Sequence, residues 1–341
     1  MFIFLVLLLL LTLFLPLLSK SIEHHLEIFL FVIGILSSVL SGILTINFVL
    51  DILKNEFLYL ISITVLAGGI IFKLFYKNFQ QVIYKILRNV SIQIFIFLMI
   101  VILGLISSII TAIIASLILV EIISLLPLNR DNKIIVNVLS CFSIGLGSVL
   151  TPIGEPLSTI VTSKLNANFF FIFNLIGSYI IPMILALGVL GACTVKTSAN
   201  LTSKFSSTLL EDETYMAIIV RVLKVFIFII SLELLGASFK PIIDTYLINL
   251  NIEYIYIINI SSAILDNATL ASAEISSLMT PLHIKTILLS LLISGGMMIQ
   301  GNIPNIISAN KLKIKSSEWI CVGFPLGFFI LLIFYIIMFV I

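Results

Sequence analysis

Charge is what this sequence has least of: Asp, Glu, Lys and Arg make up 10% of its 341 residues, and the net charge is +2. Soluble domains carry about a quarter charged residues, so a soluble fold is excluded. Nucleic acid needs a concentrated basic surface and is not an expected partner. Histidine is nearly as scarce. His24 and His25 are adjacent, His283 stands alone, and no HExxH zinc pattern occurs, which removes a metalloprotease. Three cysteines, Cys141, Cys193 and Cys321, lie far apart in apolar surroundings. They lack metal-ligand spacing and read as buried inert thiols. GxGD and GxSG are absent, so an intramembrane hydrolase has no motif. The chain is not expected to be an enzyme, and no cofactor is implied.

What the sequence does have is hydrophobic length. Apolar residues make up 61% and mean hydropathy is +1.30, the composition of an all-α polytopic membrane protein. A spanning helix takes about 20 apolar residues. Candidates are 2–18, 28–50, 57–76, 133–163, 168–192, 216–238, 284–310 and 319–341, with longer blocks at 91–127 and 252–281. Met1 to Leu18 has neither a basic start nor a small-x-small cleavage site, and reads as a spanning helix rather than a signal peptide. In 77–89, Phe79, Val82, Ile83 and Ile86 share one face against Lys77, Gln81, Lys85 and Arg88, the pattern of a helix lying in the interface. Arg221, Lys224 and Glu233 inside 216–238 read as a structural ion pair or as snorkelling side chains.

The two long blocks need a different path. Residues 91–127 carry no charge before Glu121, too long for one crossing and without a polar loop for two. A re-entrant helical hairpin solves this, with its tip near Ser107, Ser108 and Thr111. Block 252–281 has the same character, its tip at Asp266-Asn267-Ala268-Thr269. The basic residues then fall on one side: Lys73, Lys77, Lys85 and Arg88, then Arg130 and Lys133, then Lys196 and Lys204, then Lys311, Lys313 and Lys315. By the positive-inside rule that side is the cytoplasm. The first hairpin opens toward it and the second toward the exterior.

One stretch organises the chain: Gly295-Gly-Met-Met-Ile-Gln-Gly-Asn-Ile-Pro-Asn305. It sits inside an apolar segment, yet its centre is Gln300, Gly301, Asn302, Pro304 and Asn305. Pro304 removes a backbone donor and Gly301 frees the dihedrals. A helix broken at membrane depth is tolerated only where protein or a water-filled cavity covers it. A second break occurs at Gly145-Leu-Gly-Ser-Val-Leu-Thr-Pro-Ile-Gly-Glu-Pro-Leu-Ser158. Gly154 and Gly301 stand 147 apart, as do Lys164 and Lys311, while Ser107 and Ser261 stand 154 apart and Glu121 and Glu274 stand 153 apart. Helix, hairpin, broken helix and helix thus recur in order. Because the hairpins enter from opposite faces, the fold expected is one of inverted-topology repeats, each with a re-entrant hairpin and a broken transmembrane helix. The divisions are N-terminal helices 1–56, repeat one 57–192, a cytoplasmic linker 193–215 and repeat two 216–341. The hairpins are 91–127 and 252–281, and the broken helices are 133–163 and 284–310.

The motifs Thr151-Pro-Ile-Gly-Glu-Pro156, Gly301-Asn-Ile-Pro-Asn305 and Leu265-Asp-Asn-Ala-Thr269 resemble those of the ion transporter superfamily. That group holds NhaD-type sodium/proton antiporters, ArsB-type carriers and divalent-anion/sodium symporters. The resemblance covers residues 57–341 and implies a scaffold, a transport domain of two hairpins and two unwound helices, and a homodimer in the cell membrane. It also implies substrate and sodium sites at the hairpin tips. Asp266, Asn267 and Thr269 fit that pattern, whereas Thr111-Ala-Ile113 departs from it.

Intramembrane acids are functional by default, so Asp266 and Glu155 rank first as holders of a proton or a cation. The expected substrate or ion site comprises Asp266, Asn267, Thr269, Thr151, Pro152, Gly154, Glu155, Pro156, Ser158, Gly301, Asn302, Pro304 and Asn305. Sodium is placed at Asp266, Asn267 and Asn302. A second tier holds Ser107, Ser108, Thr111, Glu121, Glu274 and Gln300. Capping of the second hairpin arm by Asp266, and of the helix after the break by Glu155, remains the plain alternative. The expected activity is secondary transport by alternating access, as sodium/proton antiport coupled to Na+ or H+. Sodium-coupled transport of a small anion is the alternative, and a passive channel a remote one. The second half reads as the stronger ion site, with Asn302 and Asn305 as neutral oxygen ligands.

Overall fold

The computed structural model describes residues 2–19, 22, 25–56, 58, 59, 62, 63, 66, 67, 70, 73, 74, 90–165, 167–195, 214–246, 250–263, 267–275 and 279–340. The expected interfacial helix 77–89, much of 57–76, nearly all of the 193–215 linker and Asp266 lie outside them. Among the described residues every regular element is helical. Ile92–Ile110, Phe171–Thr194 and Ser316–Phe339 are long and apolar enough to cross a bilayer. The chain is an all-α membrane protein.

The elements are α1 (Phe2–Leu18), α2 (Leu26–Leu40), α3 (Ile46–Lys54), α4 (Ile92–Ile110), α5 (Ala112–Leu125), α6 (Arg130–Ser148), α7 (Pro156–Lys164) and α8 (Phe171–Thr194). Then follow α9 (Tyr215–Tyr246), α10 (Ile252–Ile258), a 3-10 turn Asn259–Ala263 and α11 (Asn267–Glu274). Last come α12 (Pro281–Gly296), a 3-10 turn Ile299–Gly301, α13 (Ile303–Leu312) and α14 (Ser316–Phe339). Local capping explains several starts. The side chains of Ser91, Asn129 and Thr280 accept from Ile94, Asn132 and His283 N–H at the heads of α4, α6 and α12.

Polar contacts fix the helix directions. Ser143 Oγ donates to the Ile100 carbonyl at 2.8 Å and Ser107 Oγ to the Ile144 carbonyl at 3.1 Å, so α4 and α6 run parallel. Between them in the chain, α5 returns, and the start of α4, the end of α5 and the start of α6 share one end. Gly188 packs on Phe97 and Val101, and Gly191 on Ile96, Ile100 and Leu139, which sets α8 antiparallel to both. Small residues let these backbones approach where lipid offers no hydrophobic drive.

The second half runs the other way. Gly145 meets Asn302, Asn137 Nδ2 donates to Ser308 Oγ at 3.0 Å, and Arg130 bonds the Lys313 carbonyl at 3.0 Å. As α6 numbers fall, α13 numbers rise, so the two pass antiparallel. Arg130 also pairs with Glu318 at 2.8 Å, which holds Arg130 and the 313–315 turn at one end. Lys285 lies over the Tyr179 ring, 5.0 Å from its centroid, and Tyr179 meets Phe334 at 5.9 Å, marking the opposite end. α2 and α9 pair with each other through Ser38 and Ser238 at 3.0 Å and Lys224 with Glu27 at 2.6 Å, and both contribute to the main core. The structural role expected for Lys224 is thus an ion pair with α2. Glu233 accepts from Asn55 at 3.2 Å.

The cysteine expectation needs correction. Cys141 is buried, but Cys193 and Cys321 are exposed. Each sits on an apolar helix, and an apolar neighbourhood in sequence does not distinguish an inward from an outward face.

Candidate functional site

Break one begins where α6 ends at Ser148. Residues 149–155 must place carbonyls and amides that no helix holds, and buried orphans cost about 1–3 kcal/mol each. Side chains and the α4–α5 junction take them up. Thr151 Oγ1 donates to the Ser108 carbonyl, Thr159 Oγ1 to the Pro152 carbonyl at 2.5 Å, and Ser158 Oγ to the Glu155 carbonyl at 2.8 Å. The Ala112 N–H donates to the Gly154 carbonyl at 2.8 Å.

Break two, residues 297–302, is closed differently. Asn305 Nδ2 donates to both the Gly295 and Met298 carbonyls, at 2.8 and 2.9 Å. Trp319 Nε1 takes the Gly296 carbonyl at 3.1 Å. Asn267, with its amide oriented so that both atoms are satisfied, donates from Nδ2 to the Gly301 carbonyl at 2.7 Å. Each break therefore receives a donor from the start of the facing helix, α5 or α11, onto the carbonyl of its glycine. The two glycines are also equivalent in space. A Cβ on Gly154 would strike the Ser148 carbonyl oxygen, and a Cβ on Gly301 would lie 2.5 Å from the Gly295 carbonyl oxygen. Only glycine fits either place.

The junction of α4 and α5 is a single residue. Thr111 has φ 78° and ψ 149°, a conformation that a β-branched residue adopts at about 1–3 kcal/mol. Its side chain caps α5 by accepting from Ile114 N–H at 3.4 Å. Thr111, Ala112, Gly154, Glu155, Pro156 and Ile303 line a cavity of about 20 Å³, room for one water-sized species. Three helix starts, those of α5, α7 and α13, meet there. The partial positive ends of helices favour negative charge, and Glu155, an acid 7% exposed, is among the lining residues. A larger apolar pocket of about 390 Å³, which shares Ile153 with it, is lined by Ser108, Thr151 and Phe170 among others.

The structure thus gathers Thr111, Gly154, Glu155 and Pro156 at one cavity, with Ser108 and Thr151 joined at its edge. Asn302, 5% exposed, lies against Gly145 of α6. Asn305 bridges its own break, and Ser158 bonds within its own helix turn. Of the expected sodium set, Asn267 acts as a donor to Gly301, and Asn302 packs on the first half. Thr269 belongs to α11, its side chain outside the described residues. Glu121 and Glu274 are buried, at 8% and 3% exposure. Gln300 is 4% exposed.

The contacts also set the register between the halves. Ser262 Oγ donates to the Leu291 carbonyl at 3.2 Å, the counterpart of Ser107 with Ile144. Ser107 therefore pairs with Ser262, one place beyond Ser261. Counted from Ala112 and Asn267, Glu274 sits two residues nearer its tip than Glu121, so the two acids do not occupy equivalent places. Sequence reasoning missed Asn137, Asn259, Thr286 and Ser308. Their signal was a polar residue within an otherwise apolar stretch.

A family model described as "Protein of unknown function (DUF1646)" matches residues 2–341, and the chain belongs to that family. No curated protein matches it.

Proposed function

For this member of the DUF1646 family, we propose secondary active ion transport by alternating access, as sodium/proton antiport across the cell membrane. The observation that carries the reading is the pair of helix breaks. They lie in antiparallel segments, receive a donor on the glycine carbonyl from a facing helix start, and meet through Gly145, Asn302 and Ile303. This arrangement supports inverted-topology repeats built from re-entrant hairpins and broken helices, the architecture in which transporters hold ions near mid-membrane. Irregular backbone at that depth persists only when covered or lining a water path.

The charge pattern supports a cation as the exchanged species. Glu155 follows Gly154 and Asn302 follows Gly301, so equivalent places hold an acid in one half and an amide in the other. Three helix starts and Glu155 line the same cavity. A second anion would compete with that carboxyl, whereas a proton or sodium ion would be drawn to it. In this reading the α2–α9 pair belongs to the scaffold, and the breaks with α4, α5, α10 and α11 form the moving part.

The test is flux in proteoliposomes carrying an internal pH-sensitive dye. Sodium added alone should drive proton movement, and Glu155→Gln should abolish it while the protein still folds. Sodium uptake that requires citrate or sulfate, with no response to sodium alone, would overturn antiport in favour of anion symport. Flux without sodium or pH dependence would indicate a channel.

A further inference from the structure

The second half holds a polar cluster that the first half lacks, about two turns along α12 from break two. Asn259 Nδ2 donates to Glu274 Oε2 at 2.9 Å and to Ser290 Oγ at 3.0 Å. Asn259, Thr286 and Ser290 are 0% exposed and Glu274 is 3% exposed. Thr286 lies one helical turn before Ser290 on the same face of α12, and its Oγ1, like Asn259 Oδ1, is buried and meets no hydrogen-bond partner among the described residues.

Thr286 is the telling case. Many helical hydroxyls in this chain bond a carbonyl three or four residues back, as Ser107 does to Gly104, Ser290 to Ile287, Thr162 to Ser158 and Ser294 to Ser290. Thr286 makes no such bond. Buried polar atoms without partners are rare because they are costly, and each asks for a donor or an ion.

The first half shows what the same frame looks like without the cluster. Through the contact pairs Ser107–Ile144 and Ser262–Leu291, Gly104 stands where Asn259 does, Ser143 where Ser290 does, and Leu139 where Thr286 does. There Ser143 bonds the Ile100 carbonyl, and Gly104 packs directly on its hydroxyl. That frame packs well with a glycine and a leucine. Asn259 and Thr286 are therefore not needed to build the fold.

A carboxylate, an amide oxygen and two hydroxyls make a hard oxygen set. Its one negative charge balances a monovalent cation, whereas a divalent ion would leave net charge buried. We propose that Glu274, Asn259, Thr286 and Ser290 bind one sodium ion within the second half, separate from the Glu155 cavity. Its part in a transport cycle rests on the reading above, but the binding itself does not.

The test is equilibrium binding of radioactive sodium to the purified full-length protein in nanodiscs, with choline as the control salt. Thr286→Val keeps the side-chain shape and removes a hydroxyl without a protein partner, so the variant folds. It should weaken sodium binding by about tenfold, and Glu274→Gln should abolish it. No binding by the wild type overturns the site, and so does unchanged affinity in Thr286→Val. Parallel flux separates the two proposals. Exchange in a wild type whose affinity Thr286→Val leaves unaltered would overturn this site alone. Binding lost in Thr286→Val, in a wild type that shows no flux, would overturn transport alone.

Discussion

The two breaks solve one problem with different chemistry. Break one is closed by short hydroxyls, those of Thr151, Thr159 and Ser158, and keeps a buried carboxyl beside its glycine. Break two is closed by one amide, Asn305, with Trp319 and Asn267, and keeps a neutral amide at the equivalent place. A hydroxyl gives up its single hydrogen bond more readily than an amide that holds two carbonyls at once. Break one is therefore held by more but individually weaker side-chain bonds, and break two by fewer and stronger ones.

The glycines offer the largest effect and the strictest check on equivalence. Gly154→Ala and Gly301→Ala each drive a Cβ into a backbone carbonyl, and each should lower stability by at least about 3 kcal/mol. Thermal melts of purified protein should show similar losses for both. A large loss for one alone would break the equivalence. Next comes the closure. Asn305→Leu strips the Gly295 and Met298 carbonyls of their shared donor and should cost about 2–4 kcal/mol. Ser158→Ala should cost about 1 kcal/mol or less, because Thr159 Oγ1 also reaches the Glu155 carbonyl. Equal losses for the two would mean that the breaks are held alike.

Direction is tested by labelling. Cysteines placed at Asn129 and Lys313, in a background without the native thiols, should react with an impermeant maleimide from the same side of sealed vesicles. A cysteine at Leu282 should react from the other side. Labelling of all three from one face would sink the antiparallel arrangement. The smallest effect belongs to Arg130→Ala. Its pair with Glu318 is solvent-exposed, and exposed pairs contribute little. The melting temperature should move by no more than about 2 °C.

Much of the fold could be read from hydropathy and from a few residues that do not belong in lipid. Glycine and proline inside an apolar run mark where a helix must stop, and α6 ends at Ser148 and α12 at Gly296, just ahead of the two motifs. The apolar block 91–127 resolves into α4 and α5, which meet at Thr111. Finer placement was out of reach. The register between the halves slipped by one at Ser107 because serines are adjacent at 261 and 262, and pattern cannot choose between them. The outward faces of Cys193 and Cys321 were misread for a related reason: in a membrane helix, apolar surroundings describe both the core and the lipid.

Composition by itself determined that this chain lives in a bilayer as helices, because so little charge leaves no other solvent for it. It also determined where those helices break, because Gly154, Pro156, Gly301 and Pro304 act locally on the backbone. Which side chain closes which break was decided only by tertiary structure. So were the donation from Asn267 to the Gly301 carbonyl and the meeting of Asn259 with Glu274 and Ser290. The contacts of Asn267 and Asn259 join segments of the second half that lie 15 to 34 residues apart in sequence, which no local rule connects.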